Sequence, residues 1–195
     1  MNDTNFASFL YYSDDSASTW QVVDGGELSM VNECTFARRH DGKILYMSRA
    51  QDTQHGANPI TTNRIAYSLY SADLKTNSAL APVEGIASPV CEGSLVASTS
   101  TGRFYFSNPS SRHWRGNLTI HSSSDGIHWD GGQEIWGTAD GHNSNSGYSA
   151  LVDRGHELGL LFEGGVQKTP VDWPDTFIRF ARVPYNFSSE RSSTS

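Results

Sequence analysis

Phenols, carboxylates and guanidinium groups are the residues of this chain with the means to do chemistry, and each has an ordinary reading to set beside a reactive one. A tyrosine hydroxyl, with an unperturbed pKa near 10, turns nucleophilic only beside a base, and Tyr148 on its own is one of eight tyrosines suited to a sheet or a turn. Glu33 by residue type is a solvated loop carboxylate. Arg49 ends a strand-like run, where a surface ion pair is the default, and Arg112 competes with Arg115 for any role in its loop. A guanidinium fork suits a two-oxygen anion such as a carboxylate. Glu163 closes an apolar run, so a half-buried position there calls for a cationic partner, which Arg179 could supply. The seven histidines, His40, His55, His113, His121, His128, His142 and His156, show no metal-ligand spacing and read as solvated or turn residues. Gly131-Gly132 is a turn without the strand-to-helix setting of a phosphate loop.

The elements that must position these groups are strands. The 195 residues suffice for one sizeable domain. Charged residues make up only 18%, with Ser, Thr, Asn and Gly in their place, which favours short strands and turns over long surface helices. Runs rich in Ile, Leu, Val, Phe and Tyr, separated by Gly, Asn, Asp, Ser or Pro, predict strands over 6–12, 34–38, 43–49, 64–70, 93–98, 103–107, 117–122, 149–153, 158–162 and 176–181. No helical period holds over three turns, so the class is all-β. A net charge of −7 argues against a nucleic-acid or anionic-membrane surface, and no stretch reaches the length of an apolar membrane span. Residues 1–13 lack the basic start and apolar core of a signal peptide. Cys34 and Cys91 make no disulfide framework, and the compartment stays open. Asn2, Asn117 and Asn186 each begin a glycosylation triplet, of consequence only in a secreted protein. The Ser-rich tail 188–195 reads as disordered.

A repeated turn is more informative. Ser13-Asp14-Asp15-Ser16-Ala17-Ser18-Thr19-Trp20 follows one strand, Ser122-Ser123-Ser124-Asp125-Gly126-Ile127-His128-Trp129 another, and Ser71-Ala72-Asp73-Leu74-Lys75-Thr76 is a decayed copy between them. The leading serines lie 58 (71 − 13) and 51 (122 − 71) residues apart, a period that suits a four-stranded propeller blade. In such a turn Ser and Asp bind main-chain amides, a small residue takes the awkward dihedral and Trp packs between neighbouring sheets; the role is structural.

The repeat resembles the Asp-box, S-x-D-x-G-x-T-W, of sialidases, with Ala17 at the Gly position of the first copy and Ser124 at the Asp position of the last. What lies between and after the boxes strengthens the resemblance: Asn32-Glu33-Cys34 and then 41–49, ending Met47-Ser48-Arg49; Pro89-Val90-Cys91-Glu92-Gly93-Ser94; Phe106-Ser107-Asn108-Pro109 with Arg115-Gly116-Asn117-Leu118; Gly147-Tyr148-Ser149-Ala150-Leu151; and Leu160-Leu161-Phe162-Glu163. Residues 1–187 thus resemble the C-terminal half of the family's six-bladed β-propeller, giving about three to three and a half blades. Ala150 departs from the Asp that family members commonly carry after Tyr-Ser.

The resemblance implies an exo-α-sialidase, a retaining glycoside hydrolase that releases terminal sialic acid from glycoproteins, gangliosides or oligosaccharides without a cofactor. Sialic acid carries a carboxylate on its anomeric carbon, which repels a carboxylate nucleophile, and sialidases use tyrosine instead. By resemblance Tyr148 is the nucleophile and Glu33 its base, Arg49 and Arg115 grip the substrate carboxylate, Glu92 lines the pocket, and Glu163 supports the family's first Arg. The R-x-N-L spacing selects Arg115 over Arg112. With a net charge of −7, attraction of an anionic sugar must be local to these arginines. The family's F/Y-R-I-P segment and its acid Asp have no counterpart here, so the isolated chain is expected to be inactive or very weak. A partner half, or self-association, would then close the ring. Relatives occur in lysosomes, cytoplasm, membranes and secretions, which leaves localisation unknown. The alternative from another class is a non-catalytic sialoglycan-binding or interaction propeller fragment.

Overall fold

The structure is a computed structural model, and it describes residues 7–24, 26–50, 64–112, 114–137, 144–166 and 175–186. Among these residues all regular structure is β, in fifteen strands: β1 (Ala7–Ser8), β2 (Tyr11–Tyr12), β3 (Gln21–Val22), β4 (Leu28–Ser29), β5 (Val31–Arg38), β6 (Ile44–Ala50), β7 (Ile65–Tyr70), β8 (Ala81–Pro82), β9 (Ser94–Ala97), β10 (Phe104–Pro109), β11 (Leu118–Ser123), β12 (Gln133–Trp136), β13 (Ser144–Asp153), β14 (Glu157–Val166) and β15 (Asp175–Pro184). They form two antiparallel four-stranded sheets, β5-β6-β7-β8 and β9-β10-β11-β12, a three-stranded sheet β13-β14-β15, and two short ladders, β1-β4 and β2-β3. Each larger sheet is a meander, and the first strands β5, β9 and β13 lie side by side. The sheets do not close on one another, and the architecture is a partial propeller.

Side-chain parity explains the stacking. On β6, Tyr46 points to one side and joins Leu10, Val23, Val31, Ala66 and Tyr70, while Leu45 and Met47 point to the other and join Ile65, Val83, Ile86, Leu95, Phe104 and Phe106. On β10, Phe104 and Phe106 enter that second layer, whereas Tyr105 turns to a third with Leu118, Ile120, Leu158, Leu160, Phe162 and Val183. The two middle sheets are therefore apolar on both faces, which is why β10 and β11 are buried throughout. Each such Leu or Phe contributes about 1.5–3 kcal/mol on burial.

The two end sheets are finished on one face only. On the first ladder Leu10 and Val23 are buried, while Phe9, Tyr11, Trp20 and Val22, one residue out of phase, are 47–63% exposed. On the last sheet Leu158, Leu160 and Phe162 are buried, while Val152, Leu161, Ile178 and Phe180 are 48–71% exposed. Cross-strand pairing of Ala150 with Leu161 and of Leu161 with Phe180 puts these last residues on one face.

Sequence reading finds the long strands and misses the short ones. The span 6–12 divides into β1 and β2 (Phe6 lies outside the described residues), and β3, β4, β8 and β12 are unforeseen, having two to four residues each. The turns form as expected with one correction of register. Ser13 Oγ donates to Asp15 Oδ1 (2.8 Å) and accepts from the Ala17 N–H (2.9 Å), and Asp15 accepts from the Thr19 N–H (2.9 Å) and hydroxyl (2.6 Å). The Thr19 hydroxyl first, then its N–H and Ser13, hold the Asp15 carboxyl at about 2. Ser71 likewise donates to Asp73 (2.6 Å), but here Ser71 accepts from the Thr76 N–H and Asp73 from the Lys75 N–H. In the last copy the serine is Ser123 rather than Ser122: it accepts from the Gly126 N–H at 2.8 Å, and Asp125 accepts from the N–H groups of Ile127 and His128 at 2.8 Å. Asp125 thus holds the Asp position, and the turn is one residue shorter than the first. Ser122 instead accepts a bond from Arg103. The left-handed positions fall to Ser16 and Ala17, Leu74 and Gly126, so a small residue is not required. Nor does every Trp pack between sheets: Trp129 lies 5.9 Å from the Phe106 ring, but Trp20 is 63% exposed on the bare first face. The tail 188–195 and His55, His113 and His142 lie outside the described residues.

Candidate active site

Glu33 sits on β5 where the pairing with β6 slips between Val31 and Cys34. Its main chain is fixed twice, by its own N–H on Asn32 Oδ1 (2.8 Å) and by the Ser48 hydroxyl on its carbonyl (3.0 Å). Arg49, on the neighbouring strand, donates through Nε to the same Asn32 oxygen at 2.8 Å and places Nη1 2.8 Å from Glu33 Oε2. That approach is an ion pair without an aligned hydrogen bond. One Asn32 oxygen therefore ties the Glu33 main chain to the Arg49 guanidinium, a role that sequence reading did not assign although the residue precedes Glu33 directly.

Tyr148 comes from the far side. It lies in the bulge of β13 between Ser146 and Ser149, and its hydroxyl donates to Glu33 Oε1. Its N–H, freed from the ladder by the bulge, donates to Glu163 Oε2 at 3.0 Å. Gly147 leaves the room for this: a Cβ there would collide with Glu163 Oε2. The Arg115 carbonyl accepts from the Ser146 N–H at 3.0 Å, and the Arg115 guanidinium carbon lies 5.7 Å from the Tyr148 ring centroid. Of the two neighbouring arginines, it is Arg115 that reaches the tyrosine. Glu92 precedes β9 and lines an open depression with Tyr148, Ala150, Leu161, Glu163 and Ile178.

Hydroxyl clamps hold the inner strands in place. Ser107 and Ser149 share a hydrogen bond (2.8 Å) between β10 and β13, the Ser94 hydroxyl accepts from Leu151 N–H (2.9 Å), and the Thr35 hydroxyl accepts from Leu95 N–H (3.1 Å). The geometry brings Glu33, Arg49, Glu92, Arg115, Tyr148 and Glu163 to one place. It corrects one expectation: Arg179 is no partner for Glu163. Glu163 pairs across the sheet with Ile178, so Arg179 faces the other way, donating to the Gly164 carbonyl (2.9 Å) and stacking 4.2 Å from the Trp136 ring centroid.

The electrostatics follow from this crowding. The bond to Glu33, then partial burial, raises the Tyr148 pKa against the pull of Arg49 and Arg115, so the phenol is a protonated donor poised on a carboxylate. Burial and the charges of Glu33 and Glu163 raise Glu92. Cys91, behind the site, is pushed up to about 11, chiefly by burial. Among the described residues no cluster of His, Cys, Asp or Glu is placed to hold a metal ion.

No family model matches the sequence, and no curated protein matches it either. Solved structures do. The Hadza microbial sialidase Hz136 superposes with a TM-score of 0.65 over 90% of this chain at 22% identity. NanB sialidase from Streptococcus pneumoniae gives 0.68 over 90% at 20%, and Trypanosoma rangeli sialidase, as its covalent intermediate with 2,3-difluorosialic acid, 0.62 over 90% at 23%. The chain has a sialidase-like fold. It spans 31%, 27% and 27% of those three chains, less than a third of each.

Proposed function

We propose that this site handles terminal sialic acid as an exo-α-sialidase does, with Tyr148 as nucleophile. The observation that carries the reading is the Tyr148 hydroxyl bonded to Glu33, whose other oxygen is held by Arg49. Arg49 and Arg115 grip the sugar carboxylate; Tyr148 passes its proton to Glu33 as its oxygen attacks the anomeric carbon, and the bond to the aglycone oxygen breaks with retention after a second displacement by water. The leaving oxygen takes its proton from an acid that this residue set does not include. General acid assistance is worth about 10²–10⁴-fold, so turnover of ordinary sialosides by the isolated chain is expected to be very weak or nil. One observation favours a second reading, a sialoglycan-binding module: Arg49 lies on Glu33 and Arg115 over Tyr148, two cations able to hold a carboxylate without the acid that turnover needs.

A substrate whose leaving group needs little acid help separates the two. Incubation with 2,3-difluorosialic acid, whose anomeric fluorine leaves as fluoride, is expected to attach one 3-fluorosialyl group to Tyr148 in the wild type and none in Tyr148→Phe. Binding of a sialic acid glycoside without labelling would leave the module reading; no binding by either protein overturns both.

A further inference from the structure

The two bare faces at the ends of the sheet stack have the same make-up. Phe9, Tyr11, Trp20 and Val22 cover one, and Val152, Leu161, Ile178 and Phe180 the other, all about half exposed or more. An antiparallel sheet that faces water on one side carries polar residues there; contiguous large apolar residues on such a face mark a contact surface. Both faces also lie on sheets whose opposite side is already packed, so neither can be buried by a shift within the stack.

We infer that the two faces pair with each other between two copies of this chain, the first sheet of each on the last sheet of the other, so that two arcs close one ring with two identical joints. Charge favours this pairing over like with like. The first face is flanked by Asp14, Asp15, Asp24 and Glu27, all exposed, with no Lys or Arg between Ala7 and Ser29. The last carries Arg182 at its rim, where Arg154, Arg182 and His156 converge on the single carboxylate of Glu157. Glu163 shares the last face with Ile178, so the cations of that face are confined to its rim; pairing two first faces would set carboxylates against carboxylates. The area suffices as well. Half-exposed aromatic and aliphatic side chains present on the order of 100 Å² each, so two joints of eight residues reach the roughly 1,600 Å² of a standard stable interface. A head-to-tail contact closes only if the arc spans half a turn. Because Leu161 and Ile178 also line the depression beside Tyr148 and Glu92, the second copy walls the open side of the candidate site.

Sedimentation of the full chain at tens of micromolar tests this, with circular dichroism to check folding. The expected mass is twice 21.4 kDa, falling to the monomer in Phe180→Glu and equally in Trp20→Glu, both surface positions on opposite faces. A mixture of the two variants retains one intact joint, so a heterodimer is expected that dissociates more readily than the wild type and weakens with added salt. A wild type that stays monomeric at hundreds of micromolar overturns the proposal. So does a dimer that Phe180→Glu breaks and Trp20→Glu leaves untouched, and so does an open-ended polymer.

Discussion

Glu92 is the carboxylate of the site that, among the described residues, no hydrogen bond or ion pair occupies. Glu33 is committed to Tyr148 and Arg49, and Glu163 to the Tyr148 N–H. Burial, with Glu33 and Glu163 adding to it, raises the Glu92 pKa. Above that raised value its charge opposes an anionic sugar; below it the neutral acid can donate a hydrogen bond. Affinity for a sialic acid glycoside is therefore expected to rise as pH falls through the Glu92 titration. At pH 7.5 Glu92→Gln should bind on the order of 3- to 10-fold more tightly, about 1 kcal/mol for one like charge nearby. Calorimetric titration at several pH values measures this, and identical pH profiles for the two proteins would refute it. At this scale the sequence is legible in which residues gather: Tyr148, Glu33 and the two arginines come together. It is silent where geometry decides: the Arg179 reading fails because strand parity turns that side chain to the other face, and Asn32 shows its importance only once its one oxygen is seen to take both Glu33 and Arg49.

Single turns carry much of the local order between strands. In the turn after β11 the Ser123 hydroxyl and Asp125 carboxylate take four main-chain N–H groups that water would otherwise solvate, those of Asp125, Gly126, Ile127 and His128. Burial alone would raise Asp125; its bonds to His128, Ile127 and Ser123 prevail and hold it well below the usual carboxylate range. Asp125→Ala is expected to cost about 1–2 kcal/mol, the net worth of one or two hydrogen bonds made to a charge, read as a lowered denaturation midpoint with the slope unchanged. An unchanged midpoint would show that the Asp125 bonds add nothing to what Ser123 and the packing of Trp129 on Phe106 already supply. Elements were legible in proportion to their length. Strands of six or more residues announce themselves by apolar runs, whereas β3, β4, β8 and β12 are too short to alternate visibly and owe their pairing to the neighbour strand. The bulge that aims Tyr148 leaves no mark in composition beyond Gly147, and the one-residue offset of the Ser123 turn is hidden by three consecutive serines.

At the scale of the whole molecule, buried and hydrogen-bonded titratable groups set the fold against acid. His121 is buried on β11, and burial lowers its pKa from 6.5 to about 4. It binds a proton in the unfolded chain before it does in the folded one, so its contribution is complete above pH 6.5 and is lost as pH falls from 6.5 towards 4, on the order of 3 kcal/mol. The turn carboxylates, lowered in the fold, withdraw their share further down. Chemical denaturation from pH 7 to pH 4 is expected to show this decline, and His121→Gln should flatten it; a wild-type midpoint constant over that range would exclude it. One more consequence belongs to the order of the strands. Tyr148 and Glu33 stand 115 residues apart, and β9 lies between their strands. No hairpin, and no pair of adjacent sheets, contains both. In refolding, or during synthesis, their bond can form only after the last sheet has docked on a finished middle one, a late and non-local event of the kind that sets slow folding rates. Under the proposed function, binding of a sialic acid glycoside would report that last docking step, and a chain arrested earlier would bind none however native its other sheets.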